Sequence, residues 1–202
     1  MSIRDPEARK RWLQLWDDNP QIEDLTRRLR LFNMPEPRMQ TPKPQTGVNR
    51  SDGPMAFLAD QIVKRMEKAG WPSKIHCLHR SAHEQNVLYE KRVNGRRVTK
   101  AEAWMSAHQF YDAADIVHAS LYWNAPPEYW KMLAVVVRQV ANEYKVDITH
   151  GHYWKMVDSA HIELTDWRNH RMQNSKNGGY HEPTKEELYQ RFLDVLPSQA
   201  GS

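Results

Sequence analysis

The chain has 202 residues, a formal net charge of +4 at pH 7 and one cysteine, Cys77. This length suits one domain, or one domain with an added arm, and it is enough to bury a core without disulfide bonds. A single cysteine excludes an intramolecular disulfide, and with it a secreted scaffold built on disulfides. The longest apolar run, at 132–137, is far shorter than the ~20 residues of a membrane span, which excludes a membrane protein.

The first residues of the chain indicate where the protein is made, and its net charge indicates what it could bind. Residues 1–12 carry charges but no apolar stretch, so we expect no secretory signal and synthesis in the cytoplasm. The excess of Lys and Arg is compatible with nucleic acid, an anionic membrane or an anionic polymer such as a cell wall, and equally with an ordinary soluble surface. Ten histidines direct attention to a metal or acid–base site.

The chain divides into three stretches. Residues 1–33 predict a helical arm, because apolar residues recur at helical spacing and Asp18 and Pro20 suit the start of a second helix. Residues 34–50 contain four prolines and few apolar side chains, which indicates an extended linker. Residues 51–196 are expected to form the compact domain.

Helix and strand signals alternate within that domain. Helix starts are indicated by proline or by Ser/Thr-x-x-Glu capping pairs, and the Asn-Gly dipeptide at 94–95 predicts a hairpin turn. In chain order the predicted elements are a helix at 54–70, a strand at 74–79, a helix at 81–89, a hairpin at 93–96, the longest helix at 126–144, strands at 146–149 and 161–164, and a helix at 184–196. Short strands between helices, without a regular strand–helix–strand rhythm, predict an α+β fold with a small antiparallel sheet flanked by helices.

The residues that can carry chemistry concentrate in two short segments. Catalytic zinc sites typically use three protein ligands, and neutral imidazole and carboxylate are both suitable. His108, Asp115 and His161 would supply two nitrogens and one carboxylate. One ideal helix turn cannot bring His108 and Asp115 together, so a bend or a strand end is required. Asp158, three residues before His161, is the carboxylate best placed to take a proton from water.

Spacing alone leaves a second interpretation open. In a chain with ten histidines, a His/Asp pair at any given spacing is common, and these residues could be ordinary core or surface residues. The same interpretation applies to Cys77, which we expect to be a small buried hydrophobic residue.

Three segments carry motifs that narrow this choice. They read HRSAHEQNVLY at 79–89, SAHQFYDAAD at 106–115 and DSAHIE at 158–163. Together, in this order, they resemble the zinc peptidases that cut peptidoglycan stem peptides. These are the D-alanyl-D-alanine carboxypeptidases and dipeptidases and the phage L-alanyl-D-glutamate endolysins. The resemblance covers residues 51–164 and leaves out the arm and the C-terminal part.

The matches to the family motifs are close but incomplete. The family's Ser-x-His-x-x-Gly-x-Ala-x-Asp is met except at Tyr111, which stands where the family has glycine. Its Asp-x-x-His-aromatic-Glu is met except at Ile162, and its Tyr-Arg-Ser-x-x-x-Gln is met except at His79. These departures leave the specificity open more than the metal site.

The resemblance implies a Hedgehog/DD-peptidase-like fold and one Zn²⁺ per chain on His108, Asp115 and His161. It also implies that Asp158 is the catalytic base and that Arg80 holds the substrate or the developing oxyanion. A surface ion pair is the simpler alternative for Arg80. Supporting or substrate-binding roles are implied for Ser106, Glu163, Gln85, His152 and Trp154. Glu163 is also a rival base.

Three classes of function follow, in decreasing order of support. The first is a zinc peptidase with bacterial peptidoglycan as its partner, cutting an L-Ala-D-Glu or D-Ala-D-Ala bond. A phage endolysin or virion-associated lysin, acting at the cell wall, fits this class best. The second is a non-catalytic zinc-binding structural or wall-binding module with the same fold. The third, a nucleic-acid binder, lacks a recognition-helix or zinc-finger signature and has scattered charge, so we expect neither nucleic acid nor membrane as a partner.

Overall fold

The structure is a computed structural model, and it describes residues 52–196 apart from residues 94 and 177 and the side chain of residue 96. The helical arm expected at 1–33 and the linker expected at 34–50 lie outside the described residues. Within the described part, no helix is both long enough and apolar enough to cross a bilayer.

Five α-helices and six strands make up the described domain. The helices are α1 (Pro54–Lys68), α2 (Ala82–Glu90), α3 (Pro127–Tyr144), α4 (Trp167–Lys176) and α5 (Lys185–Val195). The strands are β1 (Ser73–Cys77), β2 (Arg92–Val93), β3 (Arg96–Arg97), β4 (Ala113–His118), β5 (Ile148–His150) and β6 (His161–Leu164). Two short 3₁₀ turns, Ala107–Phe110 and Gly151–Tyr153, lead toward the candidate site.

The sheet is small and antiparallel. Its order is β1-β4-β6-β5, and each neighbouring pair runs antiparallel, while β2 and β3 form a separate hairpin. The predicted α+β class with a small antiparallel sheet flanked by helices is therefore confirmed.

Local sequence signals fix several helix starts as expected. Ser81 and Glu84 form a capping box at α2, and Thr184 and Glu187 form one at α5. Pro127 occupies the first turn of α3, where its missing N–H costs no hydrogen bond.

The main omission of the sequence analysis is β4, the central strand beside β1 and β6. All six of its residues are buried, so it lacks the apolar–polar alternation that marks a half-exposed strand. Its two alanines and its central aspartate are also uncommon in strands, so the segment resembles a loop in sequence. Helix α4 was missed as well, because it is strongly polar and buries only Trp167 and Asn174. The strand predicted at 74–79 ends earlier, at Cys77, and the one predicted at 146–149 begins later, at Ile148.

The core lies between one face of the sheet and helices α1, α3 and α5. From the sheet it takes Ala114 and Ile116 of β4 and Ile162 and Leu164 of β6. Because side chains alternate along a strand, Asp115, between Ala114 and Ile116, and His161, just before Ile162, are directed to the other face. The candidate site lies there.

Candidate metal centre

Two of the expected metal ligands are held together by strand pairing. Asp115 of β4 and His161 of β6 are directly opposed in the antiparallel ladder. Residues opposed in this way have Cβ atoms about 4.5–5.5 Å apart, so the register alone brings the carboxylate and the imidazole into contact. A one-residue slip of β6 against β4 would turn His161 toward the apolar core and separate it from Asp115.

The third expected ligand, His108, lies on a bend just before β4, as expected from its spacing of seven residues from Asp115. It lies in the 3₁₀ turn Ala107–Phe110, and Tyr111 then reverses the chain with φ 59° and ψ 25°. Ser106 begins this turn, and its backbone N–H donates to Gln109 Oε1 at 3.3 Å. The turn and the left-handed residue after it bring His108 back over the start of β4.

The three side chains converge closely. His161 Nδ1 lies 3.1 Å from Asp115 Oδ1, His108 Nε2 lies 3.3 Å from the same oxygen, and the two nitrogens are 3.3 Å apart. All three residues are buried. Atoms bonded at 2.0–2.1 Å to a tetrahedral zinc are about 3.3–3.4 Å from one another, so this triangle fits three corners of such a site.

In each imidazole one nitrogen, here called inner, faces Asp115, and the other, here called outer, faces away from it. The hydrogen bond of the outer nitrogen indicates the tautomer of the ring. His108 Nδ1 faces the Leu78 carbonyl oxygen at 3.3 Å, and His161 Nε2 faces Glu163 Oε2 at 3.1 Å. Since these oxygens only accept, the outer nitrogens donate and the inner ones carry lone pairs. Two lone pairs and a carboxylate oxygen facing one another call for a cation between them.

Without a metal, protons supply that positive charge. Burial would lower the pKa of His108, but the Asp115 carboxylate and the Cys77 thiol outweigh it and raise the pKa to about 9. The pKa of His161 is raised against burial by Asp115 and Glu163. Burial would raise the pKa of Asp115, yet the two imidazoles hold it far below its ordinary value. The electrostatic environment of the site is therefore suited to a bound cation.

Cys77 adds a second possible set of ligands. Cys77, His108 and Asp115 also offer ligand atoms within 4.8 Å of one another, so this group could bind a metal ion. The Cys77 Sγ, however, lies 3.8 Å from His108 Nδ1, the outer nitrogen. Cys77 is partly exposed, and the prediction of a small buried hydrophobic residue was wrong. Simple alternation along β1 would place Cys77 on the same face as Ile75; the bulge between these two residues turns Cys77 to the site face, where it pairs with Asp115.

Asp158 stands beside the three converging side chains without joining them. The loop that bears it is held to the turn at Gly151, because Asp158 N donates to Gly151 O at 3.0 Å. A Cβ at Gly151 would lie 2.4 Å from Asp158 O, so only glycine permits this approach. Partial removal of water and the negative charge of Asp115 raise the pKa of Asp158. A raised pKa suits a group that must take up and return a proton near neutral pH.

Arg80 is held against the same site from the loop after β1. Its Nη2 lies 3.5 Å from Asp115 Oδ2, and its Nη1 donates to Gln85 Oε1 at 3.0 Å. Gln85 is buried and also donates to the Ala101 carbonyl. The guanidinium is thus oriented by a buried amide and belongs to a partly buried network that includes the Asp115 carboxylate.

The remaining predicted residues either contact the His161 ring or support the segments that carry His108 and Asp158. Trp154 packs against His161, with ring centroids 5.2 Å apart, and Glu163 contacts the same imidazole. His152 contacts the Ser159 hydroxyl at 2.8 Å and so supports the loop that bears Asp158. Ser106 supports the turn of His108 through its backbone.

The two main departures from the family motif contact each other. The rings of His79 and Tyr111 are stacked, with centroids 4.3 Å apart and planes 13° apart. Tyr111 occupies a left-handed conformation that glycine adopts more readily, which explains why glycine is the usual residue there. Sequence reasoning could not anticipate this pair, since the two residues are 32 positions apart.

Comparison with known proteins gives a likeness at the level of structure. No family model and no curated protein matches the chain. The fold is similar to the L-Ala D-Glu endopeptidase ChiX of Serratia marcescens, with a TM-score of 0.44 and 22% sequence identity, over 70% of this chain and 98% of that chain. At this TM-score and identity the likeness does not indicate what the chain does, which depends on its own residues.

Proposed function

We propose that the chain is a zinc-dependent peptidase that hydrolyses an amide bond in the peptidoglycan stem peptide. The observation that carries this proposal is the convergence of two imidazole nitrogens and one carboxylate oxygen at 3.1–3.3 Å, with a further carboxylate, Asp158, beside them. The motif resemblance supports the choice of substrate. His108 Nε2, Asp115 Oδ1 and His161 Nδ1 are the proposed zinc ligands, with one Zn²⁺ per chain.

The chemistry divides between the metal and the side chains around it. A bound Zn²⁺ acidifies water and polarises a carbonyl group. Asp158 accepts a proton from the attacking water on a carboxylate oxygen and returns it to the leaving amine. Its raised pKa favours the return step, since the protonated form persists to a higher pH than for an ordinary aspartate.

Arg80 and Glu163 complete the proposed machinery. Arg80 is a fixed cation beside Asp115 and stabilises negative charge that develops on the carbonyl oxygen. Glu163 accepts a hydrogen bond from His161 Nε2, which fixes the orientation of the ring and makes it a better ligand. Glu163 is already engaged in this contact, so Asp158 is the better candidate for the base.

The biological setting we propose is lysis of a bacterial cell wall. A phage endolysin or a virion-associated lysin is made in the cytoplasm and then acts on peptidoglycan, and the bond cut is L-Ala-D-Glu or D-Ala-D-Ala. The competing proposal is a zinc-binding module with no catalytic activity. Asp158 argues against it, because a purely structural zinc site has no use for a free carboxylate beside its ligands.

The test separates ligand, base and supporting roles in the full-length protein. Zinc content and release of soluble fragments from purified peptidoglycan are measured for wild type, His161→Ala, Asp158→Asn and Glu163→Gln. His161→Ala should lose both zinc and activity. Asp158→Asn should keep about one zinc per chain and lose on the order of 10²-fold in rate. Glu163→Gln should bind zinc more weakly, by about 10–100-fold, and remain active when saturated with zinc.

Three results would overturn parts of this proposal. Near-normal turnover by Asp158→Asn, with an inactive but zinc-loaded Glu163→Gln, would assign the base role to Glu163. One zinc per chain without hydrolysis of any stem-peptide bond would favour the non-catalytic module. Active protein without zinc after dialysis would exclude the metal mechanism.

A further inference from the structure

An exposed aromatic patch follows β4, the strand that carries Asp115, and has no part in the proposed mechanism. Leu121, Tyr122 and Trp123 form a turn after β4 with 46%, 43% and 51% of their surface exposed. Two residues of β1 contact these rings. Lys74 Nζ lies 3.5 Å from the centre of the Tyr122 ring, and His76 packs edge-on against Trp123 at 4.6 Å. We refer to Lys74, His76, Tyr122 and Trp123 as the aromatic platform.

The platform is held rigidly by a buried histidine. Ser120 N and Leu121 N both donate to His118 Nδ1 at 3.2 Å, and Tyr122 N donates to His118 O at 3.0 Å. Tyr122 adopts a positive φ of 51°, which a non-glycine residue holds only where the surroundings impose it. Large apolar side chains kept exposed on a strained, well-anchored turn indicate a contact surface.

The sheet places the platform on the same face as the metal centre. Val117 and Asp115 are two residues apart on β4 and so point to the same face, about 7 Å apart. Lys74 pairs with Val117, and Cys77 pairs with Asp115. His76 is the extra residue at the β-bulge between them, and its ring meets the platform. A substrate extending from the metal centre along β1 and β4 therefore reaches Tyr122 and Trp123.

We propose that the aromatic platform binds a pyranose ring of the glycan strand to which the stem peptide is attached. This inference rests on the proposed function, since it assigns a subsite to the same substrate. A pyranose offers a face of C–H groups that packs on an exposed aromatic ring, while its hydroxyls stay in water. Lys74 and His76 supply N–H donors beside the rings for hydroxyl, amide or carboxylate oxygens of the sugar.

The chemistry of the platform favours a sugar over another protein surface. Its two large rings are near-parallel, with centroids 6.4 Å apart and planes 20° apart, so they form a narrow, ordered surface. Tyr and Trp give large contact area with little loss of conformational entropy. Flanking by polar Lys74 and His76 suits an amphipathic ligand better than an apolar one.

The test uses two substrates and one binding assay with the full-length protein. Trp123→Ala is compared with Tyr189→Ala, which removes another exposed aromatic side chain (43%, against 51% for Trp123) from α5. Hydrolysis is measured on intact peptidoglycan and on soluble stem peptides released from the glycan. Binding is measured by co-sedimentation with glycan strands from which the peptides have been removed. Trp123→Ala should lose about tenfold in binding to glycan strands and in kcat/KM on intact peptidoglycan, and should change by less than twofold on soluble peptides.

Other outcomes would overturn the inference in distinct ways. Equal losses on intact peptidoglycan and on soluble peptides would mean that Trp123 serves the peptide or the fold. Unchanged binding to glycan strands would show that the platform does not bind sugar. If wild type cleaves neither substrate, the proposed function fails, whereas a loss of glycan binding in Trp123→Ala alone would still support the platform.

Discussion

Buried histidines on the two faces of the central sheet have pKa values shifted in opposite directions. On the core face, His150 is opposed to Ile162 and donates from Nε2 to the Ser159 carbonyl at 2.9 Å. Burial lowers its pKa to about 4, so the ring stays neutral. On the other face, His108 is equally buried, but the neighbouring carboxylate raises its pKa to about 9.

The difference shows what makes one face a core and the other a site. On the core face the histidine is buried in its neutral form: Nε2 donates one hydrogen bond, Nδ1 has no hydrogen-bond partner among the described residues, and no charge is buried. On the site face, three polar groups are buried against each other, and positive charge from a metal ion or from protons on the imidazoles is needed to balance them. Asp115 and Ile116 are neighbours on β4, but Asp115 faces the site and Ile116 faces the core. Substitutions at these two positions therefore test the two faces separately.

The largest expected effect comes from Asp115 on the site face. Asp115→Ala removes one proposed ligand, the carboxylate that contacts both imidazoles. It should lose zinc and on the order of 10³-fold or more in rate, because the metal supplies several kcal/mol of transition-state stabilisation. Metal analysis and peptidoglycan hydrolysis check this. Retention of one zinc and normal turnover would show that Asp115 is not a ligand.

The adjacent residue on the core face should give the opposite result. Ile116 is fully buried, so Ile116→Ala should lower the free energy of unfolding by about 2–5 kcal/mol. It should still bind one zinc and keep most of its activity at a temperature where it is folded. Urea unfolding and metal analysis provide the two measurements. Loss of zinc from folded Ile116→Ala would show that the two faces are not independent.

The pH dependence of stability tests the neutral histidine. Between pH 6.5 and about 4, the unfolded chain binds a proton at His150 that the native state rejects. Stability should therefore fall as pH falls through this window, by on the order of 3 kcal/mol from this group. His150→Gln should reduce that fall, whereas His83→Gln, at an exposed position, should not. Equal pH profiles for wild type and His150→Gln would contradict the assignment.

The smallest effect concerns the stacked pair His79–Tyr111. Tyr111→Gly relieves the left-handed backbone but loses the stack, so the two effects should nearly cancel. A double-mutant cycle with His79→Ala isolates the stack, with a coupling of about 0.5–1.5 kcal/mol in the free energy of unfolding. Additive effects of the two substitutions would mean that the ring contact does not stabilise the fold.

The sequence predicted the elements that are set by local signals, and it did not predict those that depend on strand pairing. The capping boxes at Ser81 and Thr184 and the proline at the start of α3 are local signals, and those helices were predicted. β4 was not, because a strand buried on both faces with Asp115 at its centre has no periodicity to detect. The convergence of His108, Asp115 and His161 was anticipated through motif resemblance, but the contact of Cys77 with His108 depends on the register of β1.

The central claim is that His108, Asp115 and His161 bind zinc while Cys77 remains outside the ligand set. X-ray absorption spectroscopy of the zinc-loaded full-length protein tests this most directly, since zinc–sulfur bonds of about 2.3 Å are clearly longer than zinc–nitrogen and zinc–oxygen bonds of about 2.0–2.2 Å. We expect a spectrum explained by nitrogen and oxygen neighbours alone, with the imidazole pattern of two histidines, and unchanged in Cys77→Ser. A sulfur neighbour at about 2.3 Å that disappears in Cys77→Ser would contradict the proposed site.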